Sequence, residues 1–167
     1  MDMENKYMNV NENIYFAYRK EAAKYNDKLR SREMTAELLG ISTSSLANYE
    51  LGITKIVPVD IVVMMSDLYN APELRYHYCK NECPIGKDLP MATKAASLEG
   101  ITIRLLNGLD NDEINYIKKT LLAISRDGKV GSEEIPKLHK IVGSLDDLAE
   151  TITELRILAE KCGGGNE

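Results

Sequence analysis

Apolar residues recur at steps of three and four along most of this chain, and nowhere do they alternate as a half-buried strand requires. The pattern predicts helices throughout. Asn13 stands as an N-cap, and Ile14, Tyr18, Ala22, Tyr25 and Leu29 predict a first helix behind it. Ser31 caps a second helix whose apolar positions are Met34, Leu38 and Leu39. Gly40 fits the left-handed position that ends a helix, which costs any residue carrying a Cβ. Ile41 then plugs the core beneath the turn. Ser42 caps a third helix that turns Leu46 and Tyr49 inward and Thr43, Ser44, Ala47 and Asn48 outward, with Gly52 closing it. Pro58 opens a fourth, with Ile61, Val62, Met64, Met65 and Leu68. Pro72 opens a fifth, through Leu74, Tyr76 and Tyr78 towards Cys83, where Pro84 stops it.

The expected organisation is all-α. A five-helix domain over residues 12–83 is followed by a Pro/Gly-bearing linker over 84–94 and a C-terminal helical module over 95–162. Three patterns fill that module: 95–106, 112–125 and 132–158, the last with an expected break near Gly143–Ser144. Together they predict a helical hairpin or small bundle. Residues 1–11 carry no periodicity, and they and the GGGNE tail are expected to lie outside the folded part.

Composition narrows the class. Apolar residues make up 44% and charged residues 28% of 167, ordinary for a globular protein. No apolar run approaches the roughly 20 residues of a membrane span, and the opening MDMENKYMNVNEN has no signal-peptide core. Three cysteines, an odd number, fit a reduced cytoplasmic chain better than a disulfide scaffold. The net charge of −5 counts against binding nucleic acid through bulk charge. Its distribution points the other way. Six bases (Arg19, Lys20, Lys24, Lys28, Arg30, Arg32) face two acids (Glu21, Asp27) between Arg19 and Arg32, while the acids gather in the C-terminal half.

The stretch Ser31–Lys55, SREMTAELLGISTSSLANYELGITK, therefore reads as a helix-turn-helix preceded by a basic segment. In that motif the second helix enters the major groove with its first residues at base edges. Thr43, Ser44 and Asn48 are short and polar enough to read bases there. Arg32 can grip a phosphate, and Thr54 and Lys55 can touch the backbone beyond the helix. GISTSSLANYELG, with SREMTAELL before it and PVDIVVMMSDLY after it, resembles the lambda-repressor-like helix-turn-helix of Cro/CI-type (XRE) regulators across residues 12–83. The resemblance implies a five-helix lambda-repressor-like DNA-binding domain. Thr43, Ser44 and Asn48 then take base-reading places, and Ser42 takes the capping and phosphate place. It also implies that Arg32 stands where the family commonly has Gln, and that Glu50 pairs with an Arg of the first helix, here Arg19. Two departures stand out: KYNDKL lengthens the passage from the first to the second helix, and Leu51 and Ile53 replace polar residues.

Other chemistries find no footing in the sequence. Cys79, Cys83 and His77 are too few for a zinc site within one chain, so no metal or cofactor is expected, with a metal shared between chains or a redox role of the two cysteines left open. DGKVGSEE lacks the first acidic ligands of a calcium loop and reads as a turn. There is no phosphate-binding loop, nucleophile elbow or HExxH, and His139 sits among solvated lysines, so no enzyme is expected. The expectation is a cytoplasmic, sequence-specific DNA-binding transcriptional regulator of bacterial or phage type, acting by operator occupancy. It would bind double-stranded DNA as a homodimer, away from membranes, and the apolar stripe of 132–158 would serve dimerisation or a protein partner. The competing expectation is an antirepressor or interaction module that keeps the fold without binding DNA.

Overall fold

Asn13 begins the first helix by accepting hydrogen bonds at its Oδ1 from the backbone N–H groups of Tyr15 (2.9 Å) and Phe16 (3.4 Å). The computed structural model describes residues 13–126 and 128–163. Among these are eight α-helices and no strand, and no helix is long and apolar enough to cross a membrane. The chain folds as two units whose boundary falls between Lys87 and Asp88. The arm expected over 1–11, Asp127 of the DGKVGSEE turn and the tail beyond Gly163 lie outside the described residues.

In the first unit, α1 (Ile14–Ala22) is shorter than the pattern predicts. Asn26 interrupts it by accepting from the Lys28 N–H (3.1 Å), which caps a 3₁₀ turn over Asp27–Arg30. That turn, not a continued helix, delivers Leu29 to the core at 1% exposure and leaves Tyr25 at 87%. Helix α2 (Arg32–Leu38) is capped by Ser31, whose Oγ accepts from Met34 N–H (3.3 Å). Its buried face also departs from expectation. Thr35, Ala36 and Leu39 are buried at 0–2%, while Met34 and Leu38 are 43% and 45% exposed. Side chains as small as Ala36 and Thr35 let the next helix approach closely there, because interhelix distance follows the residues at the contact.

Gly40, at φ +63°, ends α2 in a Schellman arrangement: Ile41 N–H donates to Ala36 C=O (3.0 Å) and Gly40 N–H to Glu37 C=O (3.1 Å). Gly52, at φ +68°, ends α3 (Thr43–Glu50) the same way, with Ile53 N–H donating to Asn48 C=O at 2.9 Å. Both ends of the helix pair are thereby fixed. Helices α4 (Val59–Leu68) and α5 (Glu73–His77) close the core around Leu46, Val62, Met65 and Leu74, each no more than 1% exposed. The fifth helix stops at His77, and Tyr78–Glu82 forms a wider π turn in which Cys83 N–H reaches Tyr78 C=O (2.9 Å). That turn sets the Glu82 carboxylate to accept from Tyr15 Oη (2.5 Å) and Val57 N–H (3.2 Å). Cys79 and Cys83 are half-buried within it.

In the second unit, α6 (Leu98–Gly108) starts later than expected: Ser97 caps it, its Oγ accepting from Gly100 N–H (3.2 Å), and Glu154 of the last helix takes the Ala96 N–H (2.8 Å) and the Arg104 guanidinium (2.7 Å). Helix α7 (Asn111–Ile124) is capped by Asp110. Helix α8 runs unbroken over Ile135–Gly163, 29 residues, so the expected break at Gly143–Ser144 is absent. A helical glycine costs about 1 kcal/mol, less than the packing of Ile141 and Ile157 (0–1% exposed) on either side returns.

Two glycine substitutions should act oppositely in thermal or urea unfolding. A Cβ on Gly86 would collide with the Cys79 carbonyl, so Gly86→Ala should destabilise the first unit by about 1–3 kcal/mol. A Cβ on Gly143 meets nothing within 4 Å, so Gly143→Ala should stabilise the second unit by up to about 1 kcal/mol.

Candidate nucleic-acid interface

The helix pair α2–α3 presents its outer surface from three short segments: the start of α2, the first two turns of α3 and the loop after it. Ser42 is exposed, and its Oγ accepts from Ser45 N–H (3.0 Å) while bonding Ser45 Oγ (2.8 Å). Ser44 is exposed, and Asn48, one turn further along the same face, is half-buried, as is Thr43. Asn48 is also held from behind, because its carbonyl receives both Ile53 N–H (2.9 Å) and Thr54 N–H (3.3 Å). Thr54 is half-buried and Lys55 exposed. The polar residues singled out in α3 thus lie on a capped helix whose inner face is locked by Leu46 at 0% exposure.

Behind this surface sits the most constrained chemistry in the unit. The Glu50 side chain is wholly buried between two arginines. Arg19 of α1 forms a two-pronged pair with it, through Nε to Oε1 and through Nη2 to Oε2 (3.0 Å). Arg19 Nη1 donates to the Leu29 carbonyl (2.8 Å) and more weakly to that of Arg30 (3.5 Å). Burial alone would lower the Arg19 pKa, but the hydrogen bond and charge of Glu50 outweigh it and leave the guanidinium above its ordinary value. The pairing of Arg19 with Glu50 implied by the family resemblance is present. The second partner was not anticipated: Arg32 Nε donates to Glu50 Oε2 at 2.6 Å, with the Arg32 side chain still 36% exposed. One carboxylate therefore holds two guanidiniums, and the surplus positive charge sits on the arginine that reaches the surface. The spacing of Arg19, Arg32 and Glu50 in sequence carries no signal for such a triad.

The basic surface is smaller than the sequence implies. Arg19 points inward at 3% exposure. Lys24 pairs with Glu21 (2.5 Å) and Arg30 with Asp27 (3.1 Å), each at i,i+3. Lys20 lies over the Phe16 ring at 5.9 Å. Beyond α3, Leu51, Ile53 and Ile56 are 55–65% exposed, an apolar rim beside the polar helix face. No family model, characterised protein or solved structure matches this chain.

Removing the buried carboxylate should leave two uncompensated guanidiniums. Glu50→Gln is expected to cost about 3–5 kcal/mol in urea unfolding. Tyr69→Phe, which deletes a buried hydroxyl without a partner among the described residues, should cost less than about 1 kcal/mol. Burial first, and then the neighbouring carboxylates Glu82, Glu73 and Glu50, raise the phenol pKa values of Tyr15, Tyr18 and Tyr69 above the ordinary 10.0. The folded chain keeps these protons where the unfolded chain releases them. The stabilisation they bring should be complete below pH 10.0 and decline as pH rises beyond it, in unfolding curves taken across that range.

Proposed function

We propose that the first unit is a lambda-repressor-like domain of the Cro/CI (XRE) kind and that the protein is a sequence-specific DNA-binding transcriptional regulator acting by operator occupancy. The observation that carries this reading is the α2–α3 pair itself. It is fixed at both ends by left-handed glycines, offers Ser44 and Asn48 on one outer face, and holds Arg32 at its edge through buried Glu50. Helix α3 would lie in the major groove, Thr43, Ser44 and Asn48 reading base edges, with Asn48 suited to the paired donor and acceptor of adenine. Ser42, Arg32, Thr54 and Lys55 would hold phosphates and set register. Three short readers discriminate weakly alone, at about 1–3 kcal/mol for each good contact. The active species would therefore be a homodimer with two recognition helices one DNA turn apart. Such a regulator works in the cytoplasm, and the second unit would supply self-association or a regulatory partner.

A second reading rests on the apolar rim of Leu51, Ile53 and Ile56 and on the net charge of −5. It makes the same face a protein-binding surface, as in an antirepressor. Titration against random-sequence duplex at several salt concentrations separates the two. A DNA binder should show binding at low salt that weakens by about 0.9 log unit per log unit of salt for each phosphate engaged. No binding at low salt would overturn the first reading. With a selected operator, Asn48→Ala should relax discrimination at one position, whereas Lys55→Ala should weaken every sequence alike. Equal effects from both would contradict the division of roles.

A further inference from the structure

Helix α8 has two apolar faces and uses one of them within its own unit. Ile141 and Ile157 are buried at 0–1%, and α8 packs on α6 and α7 within the unit. On another face Ile135, Val142, Leu145 and Ile152 are 40–45% exposed. With half-buried Leu138 and Ala149 they form a stripe at alternating steps of three and four, the spacing of a two-helix seam. The stripe is about 26 Å long at 1.5 Å per residue, and Arg156 ends it at the next seam position. A run of large aliphatic side chains this regular and this exposed is uncommon on a solitary soluble unit.

We propose that this stripe is the contact between two copies of the chain, with the two α8 helices antiparallel. Two features select a second copy in that orientation. The first is self-complementarity. A two-fold axis between Gly143 and Ser144 sets Ile135 against Ile152, Leu138 against Ala149 and Val142 against Leu145, so each position meets an apolar partner. The second is charge. Before that axis α8 carries Lys137, His139 and Lys140 and no acid; between the axis and Arg156 it carries Asp146, Asp147, Glu150 and Glu154 and no base. Antiparallel pairing lays the basic half of each copy beside the acidic half of the other, and brings His139 opposite Asp146 on the flank of the seam. Parallel pairing would lay like on like. Lys140 also lies over the Tyr116 ring at 4.8 Å and Glu154 holds Arg104 within the unit, so their charges act across the seam at longer range. This pairing deepens the dimer invoked for operator occupancy but does not require DNA.

Sedimentation equilibrium of the full chain without DNA should give twice the chain mass. Val142→Glu with Leu145→Glu should give a monomer of unchanged helix content, since both positions are already about 45% exposed. Asp146→Lys should weaken the dimer several-fold, and adding His139→Asp should restore it, a rescue that a merely structural role does not produce. Orientation is read by cross-linking. In a chain with Cys79, Cys83 and Cys162 changed to Ser, Ile135→Cys mixed with Ile152→Cys should form a disulfide-linked dimer, and neither should link to itself. The native-cysteine series carries the test if that background does not fold. A monomer at concentrations up to about 100 µM would overturn the proposal, as would self-linking of either cysteine variant or failure of the charge swap to rescue. A dimer that ignores DNA, or a DNA binder that stays monomeric, tells failure of one reading from failure of the other.

Discussion

The first unit depends on a carboxylate with no access to water. Stripping solvent from Glu50 costs several kcal/mol unless its oxygens are fully engaged, and the chain engages them with arginines from two different segments. Arg19 comes from α1, Arg32 opens α2, and Glu50 is the last residue of α3. The same Arg19 ties down the carbonyl of Leu29. Four consecutive segments are therefore referred to one point, and the angle between α2 and α3 cannot drift without leaving a buried charge unpaired. The long passage KYNDKL joins this scheme through its end. Its 3₁₀ turn supplies both an apolar side chain for the core and a backbone acceptor for Arg19.

The second unit uses a related device less completely. Glu154 of α8 fixes the entry to α6 by holding Ala96 N–H and Arg104, but Arg104 remains 47% exposed, so water competes for it. Its buried aliphatic residues, Ile101, Ile124, Ile141 and Ile157, are few beside the apolar side chains left at the surface. The imbalance is what makes α8 informative. Helix α8, 29 residues long, buries Ile141 and Ile157 and leaves Ile135, Val142, Leu145 and Ile152 at 40–45% exposure.

Charge sets the terms of any DNA contact. The acidic chain as a whole repels a duplex, so binding would rest on local geometry rather than on long-range attraction. Arg32 is suited to that. Its Nε is anchored to Glu50, which restricts the direction of the guanidinium, while the side chain stays 36% exposed. The apolar rim of Leu51 and Ile53 lies immediately beyond α3 and adds no charge to that surface.

Caps, turn glycines and the three-and-four period were legible from the residues alone. Asn13, Ser31 and Ser42 act on their own next few N–H groups, and Gly40 and Gly52 answer to local sterics, so each works at short range and leaves a local trace. The pairing of Arg19 with Glu50 was legible only through a family resemblance. Where α1 ends, which face of α2 is buried, the π turn before Cys83, the continuity of α8 and the second arginine on Glu50 were not legible. The end of α1 is set locally by the Asn26 cap, but the others are decided by packing between distant residues: α3 pressed against Thr35 and Ala36, Tyr15 reaching Glu82, and the surface of α8 weighed against one helical glycine. Local chemistry determined where helices begin and stop being favourable; only the tertiary structure, through desolvation and packing between distant residues, decided which faces they bury and which charges they keep.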